Sequence, residues 1–152
     1  MSQTTDIPRI IDGAIAVDDR GALSFVNDFT FNNVKRFYVV ENHEAGFIRA
    51  WHGHKHESKY IYVVSGSALI IAVSLADAKK DLDPSKAFRT VLSDKLPKIV
   101  EVPGGYYNAF KTLTPGTKVM FFSTSSLEES KGDDVRLPFD AINPSLWEIP
   151  YR

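Results

Sequence analysis

Gly46-Phe47-Ile48-Arg49-Ala50-Trp51-His52-Gly53-His54, followed by Lys59 and then Gly66, is the stretch on which the reading of this chain turns. The first glycine is followed after five residues by His-x-His, after four more by Lys59, and after six more by the second glycine. Alternate residues of a strand share a face. His52, His54 and His56 therefore either line one side of a site together or run off a strand end into solvent. Lys59 bears on the chemistry, because an ammonium has no lone pair to offer a metal.

Working outward, short runs rich in Val, Ile, Phe and Tyr recur at Val34 to Val40, Gly46 to Trp51, Tyr60 to Val64, Ala68 to Leu75, Lys98 to Val102 and Lys118 to Phe122. Gly, Pro, Asn and Ser punctuate them, as they do in all-β sandwiches and barrels. Ser65-Gly66-Ser67 reads as a hairpin turn. Helical turns are expected only at Leu75 to Lys80 and at Ser126 to Ser130. The polar segment Asp77 to Arg89 reads as a solvated insertion loop, with a lid over the site as the other reading. The chain has 152 residues, enough for one domain with a sizeable core, and 43% of them are hydrophobic. Lys and Arg number 18 against 19 Asp and Glu, a net charge of −1, so no bulk attraction to nucleic acid or anionic membrane is expected. The absence of cysteine excludes disulfides and zinc-thiolate sites. No run approaches membrane-spanning length, and Met1 to Asp6 has neither a basic region nor an apolar run, so the expected location is the cytoplasm.

The glycine, His-x-His, Lys59 and glycine spacing resembles the first signature of the cupin barrel. In metal-binding cupins the position of Lys59 is a ligating glutamate. Pro103-Gly104-Gly105-Tyr106-Tyr107-Asn108 resembles the second signature, with Asn108 in place of its histidine. The resemblance implies an all-β cupin jelly-roll β-barrel with few short helices, residues 1–152 forming a single RmlC-like domain whose first 20 or so residues are an arm. With Lys59 and Asn108 at two ligand positions, neither a metal nor another cofactor is expected.

Lysine in that frame resembles the dTDP-4-dehydrorhamnose 3,5-epimerase family. Asp19-Arg20-Gly21, Gly46 to His52, Lys59 ahead of Gly66, Val102 to Tyr106 and Asn143 to Pro150 are similar to that family's segments. Lys35-Arg36-Phe37-Tyr38, Arg49 to Lys55 and Ser65-Gly66-Ser67 resemble the related sugar-nucleotide 3,4-ketoisomerases. Three features depart from these patterns, one being that the Asp with which the epimerases pair their base His has no obvious counterpart in this chain. Ketoisomerases usually carry Gln at the position of Lys59, and the acid Tyr of the epimerases has no counterpart in Ser123-Thr124-Ser125-Ser126.

The resemblance implies an isomerase that takes a proton next to the C4 carbonyl of a nucleotide-linked 4-keto-6-deoxyhexose, a dTDP-sugar above all. The expectation is epimerisation at C3, C5 or both in deoxysugar biosynthesis. The alternatives are a 3,4-keto shift on the same substrate class, a non-catalytic sugar-nucleotide-binding cupin, and a metal-dependent cupin using His52, His54 and His56. His52 suits the base, with an ordinary pKa of about 6.5. Lys59 suits the stabiliser of the enolate oxygen. Tyr38, Tyr62 and Tyr107 are candidates for the acid, and the ketoisomerase resemblance points to Tyr38. Arg20 and Arg49 suit a diphosphate, and His54, Tyr62 and Asn108 complete the expected substrate-binding set. A homodimer is expected as well, an N-terminal strand crossing to the partner.

Overall fold

The computed structural model describes residues 6–152. Among the described residues twelve strands are present: β1 (Arg9–Asp12), β2 (Ala14–Asp18), β3 (Gly21–Phe25), β4 (Arg36–Glu41), β5 (Ile48–His54), β6 (Lys59–Ser65), β7 (Ser67–Ser74), β8 (Phe88–Ser93), β9 (Lys98–Val102), β10 (Tyr106–Thr112), β11 (Lys118–Ser123) and β12 (Asp134–Arg136). They form two five-stranded antiparallel sheets, ordered β1-β9-β6-β11-β4 and β12-β5-β10-β7-β8, plus the separate hairpin β2-β3. Facing sheets with few helices make the expected all-β cupin jelly roll. Among the described residues no helix is long and apolar enough to cross a membrane.

Strict alternation builds the first sheet. Ile61 and Val63 of β6, Val100 and Val102 of β9, Val119 and Phe121 of β11, and Tyr38 and Val40 of β4 all point between the sheets. Their neighbours point outward, and many of these, Phe37, Val39, Tyr60, Tyr62, Met120 and Phe122 among them, are apolar or aromatic as well, so the outer face is not the polar face that a half-solvated antiparallel sheet carries. The second sheet differs. Its β7 reads Ala68-Leu69-Ile70-Ile71-Ala72-Val73 without a polar break, and each of these residues is buried. Ala68, Ile70 and Ala72 enter the inter-sheet core, while Leu69, Ile71 and Val73 enter a second core on the outer face. The segment after β7, through Leu82, and the C-terminal Ile142, Leu146 and Trp147 cover that outer face.

Three local expectations change. Ser65-Gly66-Ser67 is not a hairpin, because β6 and β7 belong to opposite sheets; it is the corner where the chain crosses from one to the other. Gly66 takes φ +83°, and a Cβ there would stand 2.3 Å from Thr117 Oγ1. Leu75 to Lys80 forms turns rather than helix. Neither reading of Asp77–Arg89 is met in full: a short 3-10 turn spans Pro84–Lys86, β8 begins at Phe88, and buried Leu82 anchors the segment on the outer core, away from the inter-sheet cavity described below. The helix near Ser126 forms as α1 (Leu127–Lys131), started by a capping box between Ser126 and Glu129. Of the stretch assigned to an arm, residues 1–5 lie outside the described residues, as does most of the N-terminal segment read for targeting. Arg9–Asp12 pairs with β9, and Ala14–Asp18 forms half of the β2-β3 hairpin.

Gly53 sits in β5 with no room for a side chain. An added Cβ would meet the Tyr107 ring at 2.7 Å, whereas one on Gly132 would find nothing closer than 3.6 Å. Overpacking a core costs about 1–3 kcal/mol. Gly53→Ala is therefore expected to lower the denaturant midpoint by that much and Gly132→Ala to leave it nearly unchanged, as chemical unfolding of the two variants would register.

Candidate active site

One end of the inter-sheet space is left open as a cavity of about 390 Å³. Its floor is the apolar core, with Val40, Phe110 and Phe121 exposed to it. Its walls come from both sheets. Arg36 and Tyr38 of β4 and Lys59 of β6 stand on one side; Arg49, His52 and His54 of β5 and Asn108 of β10 stand on the other. Its mouth is bounded by Ser130 and Lys131 of α1 and by Asp134 and Arg136 of β12.

A break in β5 decides which side chains reach this cavity. Opposite β10, Asn108 pairs with His52 but Phe110 pairs with Arg49, so β5 carries one extra residue at this point. By alternation alone Arg49 and His52 would face opposite ways. The bulge returns Arg49 to the face of His52 and His54 and leaves Trp51 buried in the outer core. Arg49 is then held by Asn42, whose Oδ1 accepts from Nε at 2.7 Å. Asn108 Nδ2 donates to the His52 carbonyl at 3.1 Å and braces the strand that carries it.

His52, His54, Lys59, Arg49, Tyr38 and Asn108 thus share one cavity. Tyr62 does not. Lys59, Ile61 and Val63 point inward along β6, so Tyr62 lies on the outer face of the sheet. Arg20 is also absent from the cavity. It sits at the tip of the β2-β3 hairpin, its side chain 86% exposed and paired to Asp18. His56 lies past the end of β5 and is exposed, so the three histidines do not assemble. Among the described residues no cluster of three metal-ligating side chains forms.

Four charged contributors were not singled out in the sequence. Arg36 was readable, since it lies two residues before Tyr38 on the same strand face. Lys131, Asp134 and Arg136 come from the α1–β12 segment, which carries no strong pattern. That segment is secured by Asp133, whose carboxylate accepts the backbone N–H groups of Lys55, His56 and Glu57 at 2.9, 2.8 and 3.0 Å. β12 then pairs with β5 at His52 and His54. Five cationic side chains, Arg36, Arg49, Lys59, Lys131 and Arg136, line the cavity against the single carboxylate of Asp134. Such a surface attracts a polyanion.

Burial sets the protonation states. It lowers His52 to about 4, with nearby Lys59 adding to the effect. It lowers His54 as well, Lys59 again contributing. Lys59 itself is lowered by burial, with Glu57 pulling the other way. Tyr38 is pushed up to about 12 by burial and by Glu57. At neutral pH the two imidazoles are neutral and the phenol keeps its proton. Lys59 Nζ lies 5.9 Å from the centre of the Tyr38 ring and 5.8 Å from that of Phe121, in reach of cation–π attraction.

The His52 shift has a stability consequence. An unfolded His52 takes its proton near pH 6.5, while the native one holds off to about 4. Between those values the unfolded state binds more protons, so stability falls as pH falls from about 6.5 to about 4. Titration by NMR is expected to place the His52 midpoint near 4, and His52→Phe is expected to flatten the stability slope in that window. A midpoint near 6.5 would overturn the shift, and with it the stability slope assigned to His52.

No curated protein matches the chain in sequence. Solved structures do match in fold. The rmlC epimerase of Mycobacterium tuberculosis is 20% identical with a TM-score of 0.72, the match covering 97% of this chain and 76% of that one. The sugar 3,4-ketoisomerase QdtA of Thermoanaerobacterium thermosaccharolyticum, in complex with TDP, is 17% identical with a TM-score of 0.68, covering 88% of this chain and 90% of that one. The dTDP-4-dehydrorhamnose 3,5-epimerase of Bacillus anthracis, with TDP and PPi bound, is 24% identical with a TM-score of 0.66, covering 86% and 78%. The family described as WxcM-like, C-terminal, matches residues 2–133, nearly the whole length over which the two-sheet barrel and its histidine-bearing strand are laid out, and the chain belongs to that family.

Proposed function

We propose that the chain is an isomerase acting on a nucleotide-linked 4-keto-6-deoxyhexose, a dTDP-sugar by likeness to the TDP-bound structures. The observation that carries this reading is the opposition of two neutral histidines on one wall to a buried lysine and a protonated tyrosine on the other, inside a cation-lined cavity. A proton beside a carbonyl is acidic only if its electron pair can move to the oxygen. The imidazole takes the proton, the pair becomes the enolate, and Lys59 balances the charge as it develops. A guanidinium fork suits a diphosphate, a role that Arg49 on the β5 wall and Arg136 at the mouth would fill.

Two products are open to this enolate. In a 3,4-keto shift the C3 proton is taken, O4 gains a proton, O3–H loses one, and a proton returns to C4. Where the proton leaves C3 and reaches C4 on the same face, groups on one wall serve both transfers. The placement of His52 and His54 on one wall, together with family membership, supports this reading. In epimerisation a proton returns to the same carbon from the opposite face, and Tyr38 on the facing sheet supports that second reading. Incubation of dTDP-4-keto-6-deoxyglucose in deuterated solvent, followed by NMR, separates them. A 3-keto product labelled at C4 marks the shift; a 4-keto product labelled at C3 or C5 marks epimerisation. Binding without exchange in any such sugar nucleotide would leave only the binding-protein alternative. Lys59→Met is expected to slow exchange by on the order of 10²–10³-fold with nucleotide affinity nearly kept, and Arg49→Ala to weaken binding first.

The working unit we propose is a homodimer. The outer face of the first sheet carries a cluster of Phe29, Phe31, Tyr60 and Phe122. Phe31 and Phe37 are each 65% exposed there. Exposed apolar area of this kind is a common mark of an interface. Light scattering is expected to give twice the chain mass, and Phe37→Asp to shift it toward the monomer. A wild-type monomer at micromolar concentration would overturn the assembly.

A further inference from the structure

Behind His54 lies a carboxylate that the proposed chemistry has not used. The Glu57 side chain has no exposed surface. An unpaired carboxylate would be costly there, since burial without partners costs several kcal/mol. Its partners come from four elements. Oε1 accepts from Ser123 Oγ of β11 and from the Arg36 guanidinium of β4 at 3.2 Å. Oε2 accepts from Ser130 Oγ of α1 at 2.8 Å and stands 3.1 Å from His54 Nδ1 of β5. The backbone carbonyl of Asp133 is also 3.1 Å from the same Nδ1.

Both neighbours of Nδ1 can only accept. The neutral ring must therefore carry its proton on Nδ1, which leaves Nε2 as the nitrogen with the free lone pair. Among the described residues His52 has no such partner. Its shift arises from burial and surrounding charge.

We propose that Glu57 is the positioning residue of His54, fixing the ring's orientation and its Nδ1–H tautomer so that Nε2 is the nitrogen that exchanges protons with a ligand in the cavity. This deepens the isomerase reading and rests on it for the identity of the ligand. Glu57 does not touch the cavity. It acts through the imidazole, as a buried carboxylate does in acid–base triads. Arg36, Ser123 and Ser130 occupy its remaining lone pairs, which holds it stationary. Other charged and titratable groups also surround the pair. Lys59, Asp134 and the Asp133 carboxylate act on the His54 ring, and His52 lies beside it. Tyr38 and Lys59 also feel the Glu57 charge. A test must therefore change Glu57 and leave these unchanged.

Glu57→Gln removes the charge and keeps the shape. Its amide has no good orientation. Turned with NH₂ toward His54, it opposes the Nδ1–H; turned the other way, it sets NH₂ against the Arg36 guanidinium. In ¹⁵N-labelled protein without ligand, wild-type His54 is expected to be an Nδ1–H tautomer. In Glu57→Gln that population should fall and the His54 titration midpoint should move down. Solvent exchange into the 4-keto sugar nucleotide should drop on the order of 10²–10⁴-fold. An unchanged tautomer and midpoint, or exchange at the wild-type rate, would overturn the positioning role and leave the isomerase reading standing. A tautomer that depends on Glu57 in a protein that exchanges no keto sugar would sustain the positioning role and remove the isomerase reading. Should Glu57→Gln not fold, Ser130→Ala serves. Loss of that donor leaves more charge on Oε2 and should raise the His54 midpoint, and an unmoved midpoint would overturn the proposal.

Discussion

Glu57 is the contact on which the open end of the barrel depends. One carboxylate without exposed surface joins β4, β5, β11 and α1 through a guanidinium, an imidazole and two hydroxyls. It is also an anion close enough to Lys59 to oppose the loss of that ammonium's charge. Without it, the cationic lining of the cavity would have no buried counter-charge from this side. Breaking a buried pair by removing one partner is strongly destabilising, because the other is left uncompensated. The site and the local fold are therefore the same set of bonds.

The rest of the barrel permits this concentration of polar groups because its cores are elsewhere. The second sheet is covered on both faces, by the opposing sheet and by the C-terminal segment around Ile142, Leu146 and Trp147. The Trp51 indole donates to the Phe139 carbonyl at 3.1 Å, and the Trp51 and Leu137 backbones pair with each other. These ties hold the strand that carries both histidines from behind. The face toward the cavity can then be polar without making β5 mobile, which is the arrangement that precise placement of acid and base groups demands.

Much of this was legible from spacing. The runs of β-branched and aromatic residues located β4, β5, β6, β7, β9 and β11 to within three residues, because a two-sheet core requires period-two alternation. Alternation also contained facts that were passed over. Lys59 pointing inward obliges Tyr62 to point outward, and Tyr38 pointing inward brings Arg36 with it. Glu57 carried no mark at all, since a single glutamate between His54 and Lys59 looks like any surface acid until its partners from β4, β11 and α1 are in place.

The sequence by itself determined the class of fold, the strand bearing His52 and His54, and the substitution of an ammonium for a metal ligand at Lys59. These are local properties, written in residue type and period. Only the tertiary structure decided that β5 bulges between Arg49 and His52, that Ser65-Gly66-Ser67 turns a corner between sheets, and that Arg20 stands apart at a hairpin tip. It also decided that α1 and β12 bring Lys131, Asp134 and Arg136 to the cavity mouth. The physical reason is that strand register and loop docking are settled by contacts between residues dozens of positions apart, such as Asp133 with the backbone of Lys55 to Glu57, and no period along the chain encodes such pairs.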